Sequence, residues 1–232
     1  PDWGQRAVKP SRWTRLLYGL APLLLTLLSA VLILLLAGAP PFASLANLLS
    51  GAFESPRKLA DIAVAMVPLL LCAAGMLITY AAGLMNIGVE GQMVAGALLS
   101  TWAVRSISAP TYILLPITVL AGMAGGALWG VLIGLMRTYG HISEIFAGLG
   151  LNFVGAALTN YLIFGPWKPP DGATMSGTDP FQPEAWMPAL AGTRASLVTI
   201  VLAAAAIVLV YFMLRDSYWG LRLKAIGLNA RS

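Results

Sequence analysis

The sequence predicts an all-α integral membrane protein, a polytopic bundle of about six transmembrane helices. Three observations carry that reading. Of the 232 residues, 59% are hydrophobic and only 10% are charged, whereas a soluble domain carries about 25% charged residues. So much apolar surface has too little polar surface to cover it in water. The apolar residues also gather into segments close to the roughly 20 residues a bilayer-crossing helix needs, and the basic residues fall at the segment ends.

The expected spans, in order, are Leu16–Ala37, Leu59–Tyr80, Leu84–Val104, Tyr112–Met136, Ser143–Phe164 and Ala195–Leu214. The second and third are separated only by the region of Gly83, so that region reads as a tight turn or a broken helix. A broken helix at membrane depth is tolerated only where it faces protein or a water-filled cavity. The apolar segment after the basic start is too long for a cleavable signal peptide and lacks a small-residue cleavage site. No strand pattern and no internal repeat is visible.

Six spans put both ends on one side. Arg6, Lys9, Arg12, Arg15, Arg137, Arg215, Arg222, Lys224 and Arg231 fall there, against Arg57, Lys58, Arg105, Lys168 and Arg194 on the other. Positive residues favour the cytoplasm, so both ends are expected to be cytoplasmic. Residues 1–214 then form the transmembrane domain, with an external Pro-rich loop at 165–194 that carries Trp167 and Trp186, and 215–232 form a cytoplasmic segment. The net charge of +5 is spread over segment ends and does not point to nucleic acid. Cys72 is the only cysteine and His141 the only histidine. They offer no disulfide framework, no metal-ligand spacing and no Ser/His/Asp triad.

Two spans carry small-residue stripes. Gly122, Gly126, Gly130 and Gly134 recur every four residues in the fourth span, and Gly88, Gln92, Gly96 and Ser100 do so more loosely in the third. Such stripes let a neighbouring backbone approach, which is how membrane helices gain packing contacts. The fifth span carries Glu144, Gly148, Asn152, Ala156 and Asn160 at steps of four, with Thr159 beside the last. Polar groups on one stripe face protein or water, so this stripe either bonds a neighbouring helix or lines a pathway.

The sharpest question sits in "GLMNIGVEGQMVAGALL", Gly83 to Leu99, where Asn86, Glu90 and Gln92 fall inside an apolar run. If the run is helical, Asn86 and Glu90 share a face. A charge well inside the bilayer costs at least ~2.5 kcal/mol on insertion scales. Glu90 therefore lines a polar cavity, is neutralised, or lies near the membrane surface capping backbone amides freed at Gly88 and Gly91.

The same stretch carries a resemblance. "MNIGVEGQMVAGAL" is similar to the "FNIGVEGQ" signature of permease subunits of ABC importers for nucleosides and simple sugars. "ISEIFAGLGLNFVGAALTNYLIFGPWK" resembles that family's "NEVISTLMLNYIA…YL…GPW" segment, and "GLRLKAIGLNARS" its "G-x-R-x-RAxGxNxxAA" cytoplasmic loop. The matches come in the family's order from about residue 60 onward. His141 and Gly148 depart from the family's usual residues. The nucleoside-type subgroup fits better than the ribose type, whose first motif reads "GGIDLSVG".

The resemblance implies a second permease subunit, a copy or a paralogue, that forms the pathway together with this chain. It implies an ATPase subunit below, which holds ATP and Mg, and an extracytoplasmic binding protein above. The permease itself would bind no cofactor and perform no covalent chemistry, and it would sit in the bacterial inner membrane in contact with lipid. Asn86, Glu90, Gln92, Asn152 and Asn160 become candidates for the solute pathway. Trp219, Gly220, Leu221, Arg222, Lys224, Gly227 and Asn229 become candidates for a short coupling helix on the ATPase, with Gly220 and Gly227 permitting turns around it. Read without the resemblance, 215–232 is equally an anchor on anionic lipid head groups. Family members continue past this loop, so the chain is expected to be part of a longer permease. An ion-coupled secondary transporter using Glu90 and Glu144, or a non-transporting scaffold, are the alternatives.

Overall fold

The computed structural model describes residues 12–170 and 177–228, and no strand occurs among them. Arg6, Lys9, Asn229 and Arg231, which entered the sequence reading, lie outside the described residues. The chain divides into two units, residues 1–59 and 60–232.

In the first unit, α1 (Arg12–Leu36) and α2 (Pro41–Phe53) meet at 113°. The bend follows from the residues between them. Gly38 takes φ +72°, the Ala39 N–H donates to Leu34 O and the Gly38 N–H to Leu35 O, which closes α1 with a glycine cap. Pro40 and Pro41 then start α2, where a missing N–H costs nothing. At 13 residues α2 is too short to span a bilayer, so it lies outside the expected spans.

α3 (Pro56–Ala81), which runs into the second unit, and α5 (Thr111–Thr138), α6 (Glu144–Phe164) and α7 (Leu197–Asp216) within it are long and apolar enough to cross a membrane. The bent pair of the first unit would make a fifth. Six were expected. The difference is α4 (Val89–Ser106), which Glu90, Gln92 and Arg105 make too polar to qualify by composition. It starts at Val89 rather than Leu84. α3 ends with the same glycine cap as α1: Leu84 N–H donates to Thr79 O, Gly83 N–H to Tyr80 O, and Gly83 takes φ +71°. The chain then runs non-helically to Gly88. The region of Gly83 is therefore a capped turn followed by a short irregular segment.

α4, α5 and α6 form the packed centre, with α4 against both others. Its buried residues are mostly small: Gly91, Gly96 and Ala103 on α4, Gly125 on α5, and Ala147, Gly148 and Gly155 on α6. Backbones meet directly. A Cβ added to Gly96 would lie 2.8 Å from Gly122 O, one on Gly125 2.5 Å from Ala95 O, and one on Gly126 3.3 Å from Gln92 O. Ser100 Oγ donates to Thr118 O at 2.9 Å. Gly130 faces the Gln92 side chain, but Gly134 has nothing within 4 Å. A step of four residues turns a helix about 40° past a full turn, so three steps carry Gly134 about 120° away from Gly122. The face that packs is completed by Gly125 instead.

A short 3-10 turn (Pro183–Ala185) stands between α6 and α7, and α8 (Tyr218–Leu228) follows α7. The loop before α7 docks on the end of α4: Gln182 Nε2 donates to Val104 O at 3.4 Å and Ile107 O at 3.2 Å. Arg105 donates to Asp179 O at 3.2 Å and lies 5.5 Å above the Trp167 ring. Gln182→Ala removes two neutral bonds and is expected to lower stability by about 1–3 kcal/mol, which thermal unfolding of the purified protein would read. At the opposite end, Arg137 and Glu144 pair at 3.0 Å across the turn from α5 to α6, and Ser143 Oγ accepts from the Ile145 N–H.

Candidate translocation-pathway site

The start of α4 is built from three helices. Its N-cap is Gly88, which has no side chain to accept from the first-turn amides. Asn152, on α6, supplies that acceptor from outside. Its Oδ1 accepts from the Gly91 N–H at 2.8 Å, and its Nδ2 donates to Ile87 O at 3.2 Å. One side-chain amide thus satisfies a backbone donor and a backbone acceptor on the two sides of the Gly88 N-cap, the role a local Ser or Asp plays in an ordinary helix cap.

Asn86 Nδ2 donates to Gln92 Oε1 at 3.3 Å, which ties the irregular segment to the first turn of α4. Asn86 precedes the helix, so it does not share a helical face with Glu90. The two backbones approach so closely that neither side tolerates a Cβ. One added to Gly148 would lie 2.7 Å from Gly88 N, and one added to Gly88 would lie 3.0 Å from Gly148 Cα. Gly91 is enclosed by Asn152 Oδ1 and Trp129 Nε1, at 2.7 and 2.6 Å from its Cβ position. The Trp129 indole N–H is buried there with no hydrogen-bond partner among the described residues. Asn152 sits eight residues into α6, about 12 Å along it at 1.5 Å per residue, so the break lies well inside the helical layer.

The structure therefore brings Asn86, Gln92 and Asn152 together. It leaves Glu90 and Asn160 outside that cluster, both exposed. Glu90 makes no hydrogen bond or ion pair among the described residues, so it does not cap the break. Two further steps of four carry Asn160 about 80° around α6 from Asn152, by the drift that removed Gly134. Ala156 is exposed, and Thr159 bonds its own helix at Gly155 O. Sequence reasoning missed Gly125 and Trp129 altogether, and Ile87 as an acceptor; no local pattern marks them, because their partners lie on other helices.

The other candidate group lies on α8. Trp219 and Leu221 are 69% and 64% exposed, two large apolar side chains left uncovered among the described residues. Arg222 lies 4.5 Å above the Tyr218 ring, and Lys224 is exposed. Gly220 and Gly227 were expected to permit turns, but both lie within the helix. They serve close approach instead. A Cβ on Gly220 would lie 2.7 Å from Leu214 O, and one on Gly227 2.6 Å from Ala81 O. Asn229 lies beyond the described residues.

Residues 58–232 match the family model described as the permease component of the branched-chain amino acid transport system. The chain belongs to this permease family. It is 32% identical over 183 residues to a glucose ABC transporter permease of Haloferax volcanii, covering 74% of this chain and 47% of the relative. It is 26% identical over 224 residues to a guanosine ABC transporter permease of Bacillus subtilis, covering 94% and 63%. It is 27% identical over 211 residues to a nucleoside ABC transporter permease of Lactococcus lactis, covering 87% and 58%. The chain thus spans between about half and just under two thirds of these relatives. No solved structure matches it. Family and helices together make it a multi-pass membrane permease component.

Proposed function

We propose that the chain forms the membrane-spanning part of an ATP-driven importer that carries nucleosides or simple sugars into the cytoplasm. The observation that carries this reading is Glu90. It is exposed on the first turn of a helix held inside the bundle, and lipid is a costly neighbour for a carboxylate. The relatives' names favour nucleosides and glucose as solutes, and a polar path between this chain and a second permease subunit gives Glu90 its aqueous environment. Asn86, Gln92 and Asn152 hold the break that presents it. Asn160, exposed on α6 about two turns further on, faces the same path.

In this reading ATP and Mg are held by a separate ATPase chain. α8 docks on that chain through Trp219 and Leu221, the kind of aromatic and apolar anchors that dominate interfaces. The external loop meets a solute-binding protein, the membrane is the bacterial inner membrane, and the N-terminus is cytoplasmic. Uptake of labelled guanosine, uridine and glucose by the reconstituted complex tests the class. Uptake that needs ATP hydrolysis and survives collapse of ion gradients is the expected result. Uptake that collapses with the gradient would establish a secondary transporter.

Sidedness has its own test. With Cys72→Ser as background, Leu190→Cys is expected to react with a membrane-impermeant thiol reagent in intact cells, and Lys224→Cys only after the membrane is opened. Both residues are exposed on the chain, Leu190 at the external loop and Lys224 on α8. The reverse pattern would invert the orientation.

A further inference from the structure

We infer that Gly227 and Gly83 form a backbone joint through which α8 moves the broken start of α4; this rests on the docking of α8 described above. The contact is close on both sides. A Cβ on Gly83 would lie 3.1 Å from Gly227 Cα and 3.1 Å from Gly227 O. A Cβ on Gly227 would lie 2.6 Å from Ala81 O and 3.0 Å from Gly83 N. No side chain stands between the two segments, so no rotamer change absorbs a displacement.

Both ends of α8 are held. At its start, Ser217 Oγ accepts from the Gly220 N–H at 3.0 Å and donates to Met213 O, which ties α8 to α7. At its end, it rests on the Gly83 cap. Five residues beyond Gly83 lies Gly88, the N-cap of α4, locked against Gly148. Between them, Asn86 is tied to Gln92. A push on the Gly83 turn therefore reaches Glu90 and the Asn152 bonds through a short run of chain. The far end of α4 is bound by Gln182 and Arg105 to the loop before α7. α4 is about 27 Å long at 1.5 Å per residue, so one rigid element joins α8's face of the bundle to the external loop.

The joint separates from mere backbone strain by choice of substitution. Asn tolerates a positive φ better than other side chains. Gly83→Asn therefore keeps the turn and fills the contact. Gly38→Asn is the control, since Gly38 also has a positive φ but has nothing within 4 Å. Gly227→Val attacks the contact from α8, and Gly227→Ala runs beside it as the milder change in case the valine variant does not assemble.

The experiment uses the assembled transporter with its ATPase and binding protein in lipid nanodiscs. Hydrogen exchange of residues 82–92 is compared with and without ATP and vanadate, and a photo-crosslinking residue at position 219 reports docking on the ATPase. In the unaltered protein and in Gly38→Asn, trapping is expected to change exchange by about fivefold or more, the low end of allosteric coupling. In the Gly83 and Gly227 variants that response is expected to fall below about twofold while the crosslink persists. Equal responses in all variants, or none in the unaltered protein, would overturn the joint. A missing crosslink in the unaltered protein would sink the docking reading instead, and the exchange comparison would still decide the joint.

Discussion

Asn152→Leu is expected to destabilise the bundle by about 1–3 kcal/mol, the cost of leaving the buried Gly91 N–H without its acceptor. The leucine fills a similar volume, so the loss is electrostatic rather than steric. The buried Gly91 N–H loses its acceptor inside the packed helices, while the C=O of the exposed Ile87 loses a bond that water can replace. Asn152→Asp separates the two bonds: it keeps an acceptor for Gly91 and loses the donor to Ile87, so it should fall between Asn and Leu. Thermal unfolding in detergent reads the difference. A fall of at least about 2 °C is expected for the leucine variant, at roughly 2–4 °C per kcal/mol for a chain of this size. An unchanged melting temperature would show that the break at 82–88 is held by packing alone.

Gly125→Leu is expected to force α4 off α5. The first added carbon would stand 2.5 Å from Ala95 O and 3.0 Å from Gly96 Cα. Both are backbone atoms in the middle of a helix and neither yields as a side chain would. Overpacking typically costs 1–3 kcal/mol, and a backbone clash of this kind should reach about 3 kcal/mol or more. The same substitution nine residues on, Gly134→Leu, should cost within about 0.5 kcal/mol because that position opens onto free space in the chain. Melting temperatures of the two variants, measured side by side, check this. Equal losses would contradict the contact account, because leucine for glycine raises helix propensity and cannot by itself destabilise α5.

The contrast between Gly125 and Gly134 shows where sequence reasoning reaches and where it stops. A period of four marks a helix with a packing face, but a face drifts against that period. The residues at its edges, Gly134 and Asn160, leave it, and Gly125 joins it from outside the pattern. The apolar spans were legible because bilayer thickness fixes their length. α2 was not, because its 13 residues have no such rule. The polar residues at 86–92 announced an unusual site, but Asn152, which bonds the backbone there, lies 61 residues beyond Gly91. Chemistry that satisfies a broken helix from another helix leaves no local spacing to read. Glu90 was legible as costly, and its place outside the capping cluster required the fold.

The central claim is that the start of α4 faces an aqueous path. Its most direct test is Glu90→Cys, in a Cys72→Ser background of the assembled transporter, with its reaction rate toward a charged, water-soluble thiol reagent measured with and without solute and with ATP and vanadate. The account expects reaction from water, a rate that changes between the trapped and resting states, and protection by transported solute. Reaction only with a lipid-soluble reagent, at the same rate in every state, would place Glu90 against lipid and contradict it.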